Sequence, residues 1–78
     1  MKTYKRAQST LNYEYGMLRK HPEFLINKTK DNETYLCTRK DCPTYIVDVY
    51  FGKLGNVIGI TTYKENGDLI ENLELRTA

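Results

Sequence analysis

The dipeptide Asn66-Gly67 constrains this chain more than any other feature. It lies between Lys64-Glu65 and Asp68-Leu69, with alternating apolar residues on both sides. A type I′ turn needs positive φ at both central residues, and Asn and Gly tolerate that best, so the pair predicts a tight hairpin. The expected register sets Lys64 against Leu69, Thr62 against Glu71, Ile60 against Leu73 and Ile58 against Leu75. A second connection, Gly52-Lys53-Leu54-Gly55, is expected to set Val49 against Ile58 and Val47 against Ile60. One sheet face then collects Tyr45, Val47, Val49, Phe51, Ile58, Ile60, Leu69, Leu73 and Leu75. A slip of one residue in either hairpin would scatter this set.

That face needs a cover, and residues 4–20 predict one. Tyr4, Ala7, Leu11, Tyr15 and Leu18 recur at helical spacing, with Lys5, Arg6, Gln8, Asn12, Arg19 and Lys20 on other faces. Thr3 suits the N-cap, Arg19-Lys20-His21 suits the C-terminal end of the dipole, and Pro22 disfavours helix at the residue before it. Gly16 inside the pattern opposes helix by about 1 kcal/mol relative to Ala. Residues 23–29 and 34–38 are expected as a hairpin around Lys30-Asp31-Asn32-Glu33, followed by strands over 44–51, 56–64 and 68–75. The expected architecture is α+β: one N-terminal amphipathic helix packed on a four- or five-stranded antiparallel β-meander, spanning residues 1–78 as one domain.

A chain of 78 residues with 40% hydrophobic and 28% charged side chains suits a small globular domain. No apolar run approaches the roughly 20 residues of a membrane span. The N-terminus, Met1-Lys2-Thr3-Tyr4-Lys5-Arg6, lacks the apolar stretch of a secretory signal, so a cytoplasmic location with no membrane partner is expected. The net charge of +2 is unevenly spread. Residues 1–40 hold nine basic and four acidic side chains, and residues 41–78 hold three and six. Lys5, Arg6, Arg19 and Lys20, with Lys2, Lys28 and Lys30 nearby, are therefore the candidate nucleic-acid-binding residues.

The residues for catalysis are sparse. His21 is the only histidine, no glycine-rich phosphate loop is present, and no serine stands in a nucleophile-elbow pattern, so neither an enzyme nor a cofactor is expected. Cys37 and Cys42 with one histidine leave a zinc site short of ligands. Reduced thiols fit a cytoplasmic chain better than a disulfide. Asp48 and Glu74 are expected to meet beside Gly59 as ordinary surface acids.

The second sheet face is the more informative one. The expected register places Ile46, Tyr50, Val57, Thr61, Tyr63 and Ile70 there, with Tyr50 beside Val57 and Tyr63 beside Ile70. Seven tyrosines and no tryptophan give this chain a tyrosine-biased aromatic set, and tyrosine is enriched at interfaces. These six residues are the candidate protein-binding set, for a partner protein or for a second copy in a homodimer. The expected function is a non-enzymatic inhibitor or adaptor, of the kind that phages and mobile elements direct at host proteins. Nucleic-acid binding through the basic half is the alternative. The element order, a basic helix followed by a β-meander, also resembles small ribonuclease toxins of the RelE type. That resemblance implies RNA cleavage as a minor alternative and assigns no residue.

Overall fold

A computed structural model describes residues 2–77. The chain forms β1 (Thr3–Arg6), α1 (Gln8–Arg19), a 3₁₀ turn (Pro22–Phe24), β2 (Leu25–Lys28), β3 (Asn32–Cys37), β4 (Tyr45–Phe51), β5 (Val57–Lys64) and β6 (Leu69–Leu75). All the strands join one sheet in the order β1-β6-β5-β4-β3-β2. The α+β, helix-on-sheet class is as expected. The sheet differs: it has six strands and is mixed, because β1 pairs with β6 in parallel.

The sixth strand comes from residues assigned by spacing to the helix. Thr3, Tyr4, Lys5 and Arg6 pair with Asn72, Leu73, Glu74 and Leu75. The Asn72 amide donates to the Lys2 carbonyl at 2.9 Å and the Arg76 amide to the Arg6 carbonyl at 2.7 Å. Four residues are too few to distinguish a helical from an extended period, and Tyr4 and Ala7 happened to fit the helix face. The helix therefore begins at Gln8 with Ala7 as N-cap, not at Tyr4 behind Thr3.

From Leu11 onward the helix packs as its spacing requires. Leu11 is fully buried, and Tyr15 and Leu18 pack against a core of Tyr35, Cys37, Val47, Val49, Val57, Ile60 and Leu73. Gln8 anchors the first turn, donating to the Val57 carbonyl at 2.7 Å and accepting from Asn56 Nδ2 at 3.0 Å. The Tyr15 ring meets Phe51 edge-on, with centroids 5.3 Å apart. The helix connects two edge strands, β1 and β2, that run in the same direction on opposite sides of the sheet.

All three anticipated hairpins form, each with an irregularity that local patterning does not reveal. At Asn66-Gly67 only Gly67 has positive φ, at 95°, and its amide donates to the Lys64 carbonyl at 2.9 Å. The turn is thus Lys64 to Gly67 with a glycine bulge, not type I′. Tyr63 pairs with Leu69, and Ile70 is the extra residue that restores the expected pairs Thr62–Glu71 and Ile60–Leu73. The β4–β5 connection closes between Gly52 and Asn56, so Val49 faces Ile60 and Val47 faces Thr62, two residues from the expected register. A shift of two keeps every side chain on its face. A bulge then swaps Val57 and Ile58: Val57 pairs with Phe51 and is buried, while Ile58 is exposed and lies over Gly52.

Candidate interaction face

The helix covers one face of the sheet, and no described element covers the other. The observed register sorts the open face into three rows across the strands. The first runs Lys5, Glu74, Gly59, Tyr50, Asn32. The middle one is polar throughout: Thr3, Asn72, Thr61, Asp48, Thr34, Asn27. The third runs Leu69, Tyr63, Ile46, Leu36.

Towards β1 the open face satisfies its own polar groups. Thr61 Oγ1 donates to Asn72 Oδ1 at 2.9 Å, Asn72 Nδ2 to Glu74 Oε2 at 3.3 Å, and Lys5 Nζ to Glu74 Oε1 at 2.6 Å. The Lys5 ammonium holds the Glu74 carboxyl below the usual carboxylate range. Towards β3, Thr34 Oγ1 donates to Asp48 Oδ1 at 2.6 Å, and no cation pairs with Asp48 among the described residues. The expected meeting of Asp48 and Glu74 at Gly59 does not occur. In the true register Asp48 faces Thr61, and Gly59 faces Tyr50 and Glu74.

The tyrosines are arranged around that middle row. Tyr50 packs over Gly59, where an added Cβ would stand 3.8 Å from its ring. Burial, the Asp48 carboxylate and the neighbouring Tyr63 phenol push the Tyr50 phenol up from its ordinary value. Tyr50 and Tyr63 stand on either side of the middle row, and Thr61 between them is buried on a face that no other described element covers. Of the six candidate protein-binding residues, Ile46, Tyr50, Thr61 and Tyr63 gather here, and Ile70 stands exposed at the β6 bulge. Val57 does not: the β5 bulge turns it into the core under the helix. Tyr50 neighbours Gly59 instead of Val57, and Tyr63 neighbours Ile46 and Leu69 instead of Ile70. Leu36 joins the face without having been singled out, although its alternation with buried Tyr35 and Cys37 is visible in the sequence.

The four candidate nucleic-acid-binding residues are not one patch. In a strand, neighbours point to opposite faces, so Lys5 lies on the open face, bound to Glu74, while Arg6 stacks over Tyr4 at 4.8 Å on the other. Arg19 and Lys20 stand at the far end of α1.

A second cluster, unanticipated by spacing, lies between α1 and β3. Glu33 is only 7% exposed, and its Oε1 accepts the Tyr15 phenol at 3.0 Å and the Tyr35 phenol at 2.8 Å. Burial, reinforced by Glu33, raises both phenols above their ordinary value. Glu33 reads in sequence as a turn residue, and only the actual start of β3 at Asn32 turns it inward.

Cys37 is buried and Cys42 exposed, both as free thiols; burial pushes the Cys37 thiol up. Among the described residues no group of three or more His, Cys, Asp or Glu could hold a metal ion, and no helix is long and apolar enough to cross a membrane. Compared with known proteins, the chain matches no family model, no curated protein and no solved structure.

Proposed function

We propose that this chain is a small non-enzymatic protein-binding domain, an adaptor or inhibitor that docks its open sheet face on another protein. The observation that carries this reading is the one-sided cover. The helix packs on one face, and the opposite face presents Leu36, Ile46, Tyr50 and Tyr63 beside Asp48. Flat aromatic surface with a few polar groups is the composition that interfaces favour.

Charge selects the kind of partner. Glu74 is neutralised by Lys5, whereas Asp48 has no cation beside it among the described residues, so their face offers one uncompensated carboxylate next to an apolar and aromatic surface. A phosphate backbone would be repelled there. A twofold contact centred on the middle row would bring Asp48 towards its own copy, which disfavours a homodimer. A partner presenting an arginine or lysine flanked by apolar side chains matches both features.

The test is affinity capture from the protein's native cells with the wild-type chain, Tyr50→Ala, Tyr63→Ala and Asp48→Asn. Lys20→Ala serves as a control away from the face. A stoichiometric partner held by wild type and Lys20→Ala, and lost by folded face variants, supports the reading. Capture that ignores all three face substitutions, or a wild-type chain that sediments as a dimer and captures nothing, overturns it.

A further inference from the structure

The Glu33 cluster lies at the base of a cleft on the helix side of the sheet, away from the proposed protein-binding face. Two adjoining hollows, about 210 Å³ and 230 Å³, share Tyr15, Lys28 and Glu33. Arg19 lines one hollow, its guanidinium 5.7 Å from the centre of the Tyr15 ring, and Lys30 lines the other. Lys28 stands opposite Glu33 in the β2–β3 register.

Among the described residues these cations have no acidic partner within ion-pair distance. The ion pairs among the described residues are Lys5–Glu74 and His21–Glu23, so Arg19, Lys28 and Lys30 form none. Glu33 is the acid that lines the cleft, and one of its oxygens already takes two phenol hydrogen bonds. Asp31, at the hairpin tip, lines neither hollow. Three cations and one carboxylate leave a formal charge of +2 around a space that can hold a small anion.

We propose that this cleft binds a phosphomonoester dianion. A dianion matches the net charge, whereas a carboxylate or a phosphodiester supplies half of it. The Arg19 guanidinium suits two-point contact with phosphate oxygens, and Lys28 and Lys30 supply point charges from the facing hairpin. A cationic ligand would meet the lysines before reaching Glu33. The phosphate can belong to a free nucleotide or to the phosphorylated end of a nucleic acid, and both present the same group.

The experiment is a nitrogen–proton correlation titration of the full chain at constant ionic strength. The probes are inorganic phosphate, adenosine monophosphate, dimethyl phosphate as a monoanion, adenosine, and a short oligonucleotide with and without a terminal phosphate. Shifts at Arg19, Lys28 and Lys30 with the monoester probes, absent with adenosine and dimethyl phosphate, are expected. Arg19→Gln and Lys28→Gln should each weaken binding about tenfold while their spectra stay folded. Tighter binding of the phosphorylated oligonucleotide than of adenosine monophosphate would assign the nucleic-acid source, and the reverse the free nucleotide. No shifts with any phosphate probe, equal shifts with dimethyl phosphate, or unchanged affinity in both variants would overturn the proposal.

Discussion

The Tyr35 hydroxyl donates to Oε1 of Glu33 at 2.8 Å, joining two side chains two residues apart on the same buried face of β3. A phenol held against a carboxylate in a buried site cannot ionise without placing two negative charges together. Its folded pKa is raised, so its contribution to stability is fully present below the unfolded tyrosine value of 10.0. That contribution is lost as pH rises from there towards the folded value, and Tyr15 acts in the same direction. Stability should therefore fall above about pH 10. Phenolate absorbance from these two residues should appear together with loss of circular dichroism, as a base titration followed by both signals would show. Early, independent ionisation of all seven tyrosines would contradict the buried cluster.

Removing the same hydroxyl tests the hydrogen bond at neutral pH. Tyr35→Phe keeps the ring in the core but leaves Glu33 with the Tyr15 phenol alone, and should destabilise the fold by about 2 kcal/mol. Tyr15 is only half-buried, so Tyr15→Phe should cost about 1 kcal/mol. Urea denaturation of the two variants measures the difference. Equal losses would mean that burial does not distinguish the two donors.

Much of the sheet is legible in the chain, and the illegible parts have identifiable causes. Val47, Val49, Ile60 and Leu73 reach the core because alternation survives the two-residue difference in the β4–β5 register. The bulges at Ile58 and Ile70 follow from how the turns close, and alternation alone cannot show them. Strand β1 is hidden because Tyr4 and Ala7 suit a helix face, while its pairing partners, Asn72 to Leu75, lie at the other end of the chain. The open face is legible through Ile46, Tyr50 and Tyr63, but Val57 leaves it and Leu36 enters it. The basic set dissolves because Lys5 and Arg6 belong to a strand. Glu33 escapes notice because a lone acid near a hairpin tip looks like a turn residue until the strand's start is known.

The helix leaves two local terms unoptimised. Ala7 occupies the N-cap in extended conformation without a side-chain acceptor, and the first turn carries no acid. Ala7→Asp should add about 1 kcal/mol by accepting from a free amide and complementing the dipole. Gly16 is exposed within the helix, and an added Cβ there would meet nothing within 4 Å. Gly16→Ala should add about 1 kcal/mol. The sites are more than two turns apart, so the double variant should gain about 2 kcal/mol, which thermal denaturation would register as additive shifts. A loss on Gly16→Ala would indicate a close approach at that surface.

The β5 bulge makes a prediction opposite to that of uninterrupted alternation. Without the bulge, Ile58 would belong to the core beside Ile60 and Val57 would face outward. In the structure Val57 is 3% exposed beneath the first turn of α1, where its carbonyl also receives Gln8, while Ile58 is 40% exposed above Gly52. Val57→Ala should therefore cost about 2 kcal/mol, from lost burial and the cavity left behind. Ile58→Ala, though it removes a larger side chain, should cost about 0.5 kcal/mol. Chemical denaturation of the pair decides between the two arrangements. A larger loss at Ile58 would place that residue in the core, return Val57 to the open face, and enlarge the tyrosine-bearing surface by one apolar side chain.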